Sequence, residues 1–201
     1  PILVGGSGLY IWSLLEGRSI PEVPPDDVLR AEFEEIVKNN GHDYLFNMLK
    51  NEDPVSAKRI DPFNVRRVIR ALEIIRSTGS PVEPIEYKDI YNAHLFALEW
   101  PEAILLERIE KRVHAMFENG FIKEVELLLS RYDASLEAFK SIGYSEVIAY
   151  INKDITLDEA IEMTIQSTKR FMKMQNRWFK KNDPRINWIP GDNPDILLEY
   201  V

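Results

Sequence analysis

The residues best placed to do chemistry begin with Gly5-Gly6-Ser7-Gly8, which stand between the apolar run PILV and LYIWSLLEG. Glycines at a strand-to-helix turn let the backbone approach a ligand, the helix start offers free amides, and Ser7 adds a hydroxyl. An ordinary tight turn has the same composition. A second group lies near the other end, where Lys169, Arg170, Lys173, Arg177, Lys180 and Lys181 recur at three- and four-residue steps. No acidic residue interrupts the stretch from Thr164 to Lys181, so the row suits a phosphate backbone, or else a solvated face. The opposite stripe, Ile161, Ile165, Thr168, Met172, Gln175 and Phe179 with Phe171 and Trp178 beside it, sets an amide among apolar neighbours, where it needs a partner. Arg66, Arg67 and Arg70 form a third cluster, in which Arg70 could pair with Glu73. Arg112 falls about 60° from the centre of an apolar stripe with Arg108 one turn back. Such an arginine is expected to be half-buried and to seek an anion, whether a ligand, Glu107 or a carboxylate elsewhere in the chain.

Other chemistries are excluded by what is missing from the sequence. There is no cysteine, and the three histidines, 42, 94 and 114, have no metal-ligand spacing, so no metal site is assigned. No Ser-His-Asp pattern and no Walker loop occurs. A net charge of -8 argues against a generally basic nucleic-acid binder but not against a local patch. No apolar run approaches membrane-spanning length and the first residues do not resemble a secretory signal, which reads as cytoplasmic.

These residues need elements to hold them. PILV reads as a buried strand and the following segment as a helix to Gly17. A proline-rich connection, RSIPEVPPDD, leads to a helical unit that opens near Asp26, whose first helix is stopped by Asn40-Gly41 and which continues through to GSPVEP. Asp61-Pro62 is expected to open a helix carrying Val65, Val68, Ile69, Leu72 and Ile75 on its apolar stripe, closed by Gly79 and Pro81. HLFALEW and INWIP read as strands with only helices between them, one carrying Leu105, Ile109, Val113 and Met116, the last opened by a Thr156/Glu159 capping box. The class is α/β and helix-rich, in 201 residues with 45% hydrophobic content. Three isolated strands do not complete a parallel sheet, so further strands are expected upstream.

Together the motifs resemble the tRNA dimethylallyltransferase family, also called tRNA isopentenyltransferase. PILVGGSGLYIWSLLEG is similar to the family's Gly-Gly-Thr-x-Leu-Tyr segment, and RIDPFNVRRVIRALEII to its Pro-Asn-Asp-x-x-Arg-x-x-Arg-Ala-Leu-Glu helix. LLERIEKRVHAMFENGFIKEVELLL resembles its Arg-Ile-x-x-Arg-Val run, SIGYSEVIAYI its Ile-Gly-Tyr motif and KMQNRW its Lys-Arg-Gln-x-Thr-Trp motif, in order from Pro1 to about Trp188. The resemblance implies a P-loop-NTPase-like parallel-sheet core, incomplete here, with a small all-helical insert. It divides the chain into a core strand and helix (1–25), a tRNA-contacting helical insert (26–60) and the remainder of the core with the basic helix (61–201). The activity it implies is transfer of a dimethylallyl group from dimethylallyl diphosphate to N6 of adenosine 37, next to the anticodon. Mg²⁺ is the implied cofactor, nucleotide and ATP binding belong to the same picture, and the tRNA anticodon stem-loop is the partner of a cytoplasmic monomer that touches no membrane.

Carried over residue by residue, the resemblance gives Ser7 the catalytic hydroxyl and gives Arg112, with Arg108, the diphosphate. It gives tRNA contacts to Gly5, Gly6, Arg30, Arg66, Arg67, Arg70, Lys140, Ile142, Gly143, Tyr144, Lys173, Gln175, Arg177, Trp178 and Lys180. Ser7 stands where the family has threonine, Met174 where it usually has arginine, Arg177 where it has threonine, and Phe63-Asn64 where it has Asn-Asp. The family's Walker loop and general-base aspartate lie upstream of the matched segment, so this chain alone is expected to hold tRNA without modifying it. Two other readings are a non-catalytic RNA-binding fragment and a free-nucleotide isopentenyltransferase, the latter needing neither the basic helix nor the insert.

Overall fold

In the computed structural model, which describes residues 1–18, 21–82 and 90–200, the apolar run at the amino end is not a strand. Ile2 is 93% exposed, and no described segment pairs with residues 1–4; without a ladder partner an extended run has neither hydrogen bonds nor cover. Helix α1 (Gly8–Leu15) follows directly. Ser19 and Ile20 of the proline-rich connection lie outside the described residues. The chain divides into two compact units, residues 12–91 and residues 1–11 with 92–201.

The first unit is helical: α2 (Asp27–Asn40), α3 (His42–Glu52), the short α4 (Pro54–Ala57) and α5 (Val65–Thr78). Asp26 caps α2 by accepting from the Leu29 amide at 3.0 Å, and Gly41, at φ +84°, lets the chain leave it. The sequence reading opened the next helix at Asp61-Pro62, but it starts at Val65. Asp61 accepts from the Phe63 amide at 3.0 Å in a local turn, and Asn64 caps the helix through the Arg67 amide at 3.2 Å. Helix α5, which the helical pattern running on from Asp26 includes, packs here. Its Val68, Ile69 and Leu72 share one buried cluster with Phe33 of α2 and Leu45 and Leu49 of α3.

The second unit is α/β. Strand β1 (Leu95–Glu99) pairs in parallel with β2 (Ile186–Pro190), Leu95 opposite Ile186 and Glu99 opposite Pro190. Parallel pairing needs a crossover. It is made of α6 (Glu102–Glu118), α7 (Phe121–Leu129), α8 (Tyr144–Ile151) and α9 (Leu157–Trp178). Phe121 and Val125 of α7 and Val147 of α8 form its buried centre, with Met116 and Phe117 of α6 against them. The capping box at the head of α9 is formed: Thr156 accepts from the Glu159 amide at 3.3 Å, and the Glu159 carboxylate accepts from the Thr156 amide at 2.7 Å. Thr156→Ala should lower stability by about 1 kcal/mol in urea denaturation; an unchanged midpoint would mean that α9 is held by packing alone.

Candidate functional site

The glycine turn and the carboxy-terminal end of α9 meet closely. The Ser7 carbonyl accepts from the Tyr10 and Ile11 amides at 3.0 and 3.1 Å, which starts α1 and leaves the turn ahead of it open to contact. Gln175 donates from Nε2 to the Gly6 carbonyl at 3.3 Å. A Cβ at Gly6 would stand 2.2 Å from Gln175 Nε2, and one at Gly8 only 2.3 Å from Trp178 Cβ and Cγ. Neither glycine has a positive φ, so close approach, and not an unusual backbone, is what calls for them.

Where they meet is a cavity of about 230 Å³ lined by Gly6, Ser7, Phe171, Met174, Gln175 and Trp178, among others. Aromatic and thioether groups face backbone, a hydroxyl and an amide, a lining suited to a flat or allylic group with few polar atoms. Ser7 is exposed and its hydroxyl has no protein partner among the described residues. Gln175 is half-buried, not a core amide, because the turn it bonds is itself at the surface. The lining contains no Asp, Glu or His, so it offers no general base.

The basic row on α9 divides by partner. Lys169 pairs with Glu110 at 2.8 Å, Arg170 donates to Ser167 at 3.0 Å, and Lys181 pairs with Glu99. Lys173 and Arg177 are exposed and have no ion pair among the described residues. Lys180, also exposed, lies in the field of Asp183. The outward part of the row is therefore Lys173 and Arg177, with Lys180 beyond them.

Arg112 corrects an expectation: it is exposed, not half-buried. Helix α6 buries Val113 and turns the preceding position, Arg112, outward, while Glu107 pairs instead with Lys111 at 2.6 Å. Arg112 has no ion pair among the described residues and stays available to an anion. Arg108 holds its guanidinium 4.4 Å from the centre of the Trp100 ring, a cation–π contact that fixes it at the end of β1. Gly191 lies against the same indole, where a Cβ would come within 2.0 Å of Trp100 Nε1.

In the helical unit, Arg66 and Arg67 are exposed without an ion pair among the described residues, but Arg30 and Arg70 are engaged. Both hold Glu73, which is 1% exposed. Arg30 donates from Nε and Nη2 at 2.9 and 3.1 Å, Arg70 donates from Nη1, and the Asp26 amide adds a bond at 2.8 Å. Arg70 also donates to the Val23 carbonyl at 2.8 Å. Burial pushes the Glu73 carboxyl up, yet the bonds from Arg30, Asp26 and Arg70 outweigh it and bring it down to about 2. These two arginines have a structural task of their own, whatever else they touch.

The last predicted cluster, Lys140 to Ser145, runs from the end of a 3-10 turn (Glu137–Lys140) through a buried Gly143 into the start of α8. Lys140 pairs with Glu137, Ile142 is exposed, Gly143 sits at φ +91°, and the Tyr144 hydroxyl donates to Glu124. Sequence reasoning missed Glu146, which fixes this turn from beneath; its place three residues after Gly143, the spacing of a capping box, is the signal that could have found it. No group of three or more His, Asp or Glu side chains that could hold a metal exists among the described residues. Nor is any described helix long and apolar enough to cross a membrane.

Comparison with known proteins gives this arrangement relatives. The family model described as IPP transferase matches residues 1–182. The tRNA dimethylallyltransferase of Moorella thermoacetica is 40% identical over 99% of this chain and 62% of its own length; that of Carboxydothermus hydrogenoformans is 39% identical over 98% and 64%. The chain thus spans a little over three fifths of the length of these curated relatives. Among solved structures, the tRNA isopentenylpyrophosphate transferase of Bacillus halodurans aligns with a TM-score of 0.61 at 34% identity, over 100% of this chain and 64% of that one. A eukaryotic dimethylallyltransferase acting on tRNA aligns with a TM-score of 0.74 over 100% of this chain and 55% of that one; at 23% identity it speaks for the fold alone.

Proposed function

Because the chain belongs to the IPP transferase family, we propose that it carries the RNA-binding face and part of the reaction channel of a tRNA dimethylallyltransferase. The reaction is transfer of a dimethylallyl group from its diphosphate to N6 of adenosine 37, in the cytoplasm, by a monomer. One observation carries the reading: the end of α9 that lines the cavity through Gln175 and Trp178 also bears the outward Lys173 and Arg177. A single helix thereby offers cations to a phosphate backbone and an apolar, amide-bearing wall to a base drawn out of its stack.

In the transfer, the N6 lone pair attacks the allylic carbon, the carbon–oxygen bond to diphosphate breaks, and a proton leaves N6. Ser7 places its hydroxyl at the attacking amine, and Arg112 with Arg108 holds the departing diphosphate. The proton goes to a group outside the cavity lining, which has no carboxylate or imidazole. The family resemblance assigns that role to an aspartate, and the grip on the donor to a Walker loop, both upstream of the matched residues. The described residues do not build a cage for Mg²⁺, an ion commonly carried by substrate phosphates.

Titration with an anticodon stem-loop RNA across a salt series tests the reading. Binding should weaken linearly in log–log form as salt rises, and Lys173→Ala and Arg177→Ala should each flatten the slope by about one unit. A slope unchanged in both variants would make the row a solvated face and sink the proposal.

A further inference from the structure

Glu146 carries a buried carboxylate that the proposed chemistry does not use. It is 7% exposed, and no cation pairs with it among the described residues. Its partners are neutral donors: the Gly143 amide and the Ser145 hydroxyl, each 2.8 Å from Oε2, and the Ser167 hydroxyl, 2.9 Å from Oε1. Ser167 accepts in turn from Arg170 at 3.0 Å. One oxygen is therefore committed to the turn before α8 and the other to α9. Burial pushes this carboxyl up, and the bonds from Ser145, its own amide, Ser167 and Gly143 outweigh it, so it stays charged at neutral pH.

A charge buried on neutral donors is an expensive way merely to pack two helices, since an apolar side chain of similar size would do so without desolvation. What the carboxylate adds is direction. Gly143 at φ +91° presses against Phe121, whose ring would come within 2.9 Å of any Cβ there, so the turn has little room beneath it. Glu146 then fixes its position along α9. Lys173 lies about 9 Å further along that helix from Ser167.

We propose that Glu146 is a positioning residue that locks the Ile142–Gly143–Tyr144 turn in register with the basic face of α9, so that both meet one RNA. This rests on the RNA-binding reading above. The function is geometric: a side chain of the same shape that keeps both links should serve, and one that loses them should not. In Glu146→Gln the amide oxygen can accept from Gly143 while the amide nitrogen donates to Ser167.

The test measures stem-loop affinity together with thermal melting for the chain and for Glu146→Ala, Glu146→Gln and Ser167→Ala. Below the melting transition, Glu146→Ala should bind the RNA about tenfold more weakly and Glu146→Gln should recover most of that loss. Ser167→Ala, which severs only the link to α9, should fall between them. Exchange of the Gly143 amide should quicken in Glu146→Ala and stay slow in Glu146→Gln. Lower melting with unchanged affinity in Glu146→Ala would reduce Glu146 to a packing role and overturn the proposal. So would a Glu146→Gln as weak as the alanine variant. If Glu146→Ala does not fold, Ser167→Ala decides, and wild-type affinity there overturns it. An unsubstituted chain that binds no stem-loop refutes the RNA reading itself, a result distinct from any of these.

Discussion

Glu73→Ala should destabilise the helical unit by about 2–3 kcal/mol, because it removes the buried carboxylate on which Arg30, Arg70 and the Asp26 amide converge. That is a large share of the stability of a domain this size. The same carboxylate sets an acid limit. Its folded value, about 2, lies below the ordinary 4.5, so its contribution is fully present above pH 4.5 and is lost as pH falls towards 2. With about 1.4 kcal/mol per unit, roughly 3 kcal/mol is at stake over that window. Urea midpoints measured between pH 5 and pH 2.5 should fall more steeply for the unsubstituted chain than for Glu73→Gln, which is weaker at neutral pH but insensitive at this position. Parallel slopes would show that Glu73 is not the titrating group. Arg30→Ala should cost less than Glu73→Ala, since Arg70 and the Asp26 amide still hold the carboxylate.

Gly8→Ala should damage the site more than Gly6→Ala, although both add a single methyl group. At Gly6 the new Cβ meets the far end of Gln175, a flexible amide that can swing aside at the cost of one hydrogen bond. At Gly8 it meets Trp178 at Cγ and also at Cβ, and Cβ moves only if the helix backbone moves. The end of α9 must lift, and the cavity wall formed by Trp178 and Gln175 lifts with it. Stem-loop affinity is expected to drop more than tenfold in Gly8→Ala and less than threefold in Gly6→Ala. Equal effects would mean that the approach of helix and turn does not govern binding.

The parts of this fold that are local were legible in the sequence. Asp26 and Gly41 bound α2 as their types require, Thr156 and Glu159 open α9, and the short apolar runs LFALE and INWIP pair as strands. The stripe on α5 was legible from its spacing, but its partners Phe33, Leu45 and Leu49 were not, because a stripe states that a face is buried and not against what. PILV failed for a related reason: its composition suits a strand, yet a strand exists only through a neighbour. The site shows the same division. The row of cations could be counted from spacing, whereas the bonds of Gln175 to Gly6 and of Arg30 to Glu73 join segments far apart in the chain, and no local pattern announces them.

The pairing of β1 with β2 has a consequence for how the chain is made. Roughly ninety residues separate Leu95 from Ile186, and all of α6 to α9 lies between them. A growing chain therefore leaves the edge of LFALE that β2 will cover, with the amides and carbonyls of that edge, unpaired by β2 for the whole time the crossover helices are being synthesised. Throughout that interval β1 is a template for any other extended segment, including its own copy on a neighbouring ribosome. Slower synthesis through the crossover helices would lengthen that exposure, and with it the yield of aggregate, without altering a single contact in the finished fold.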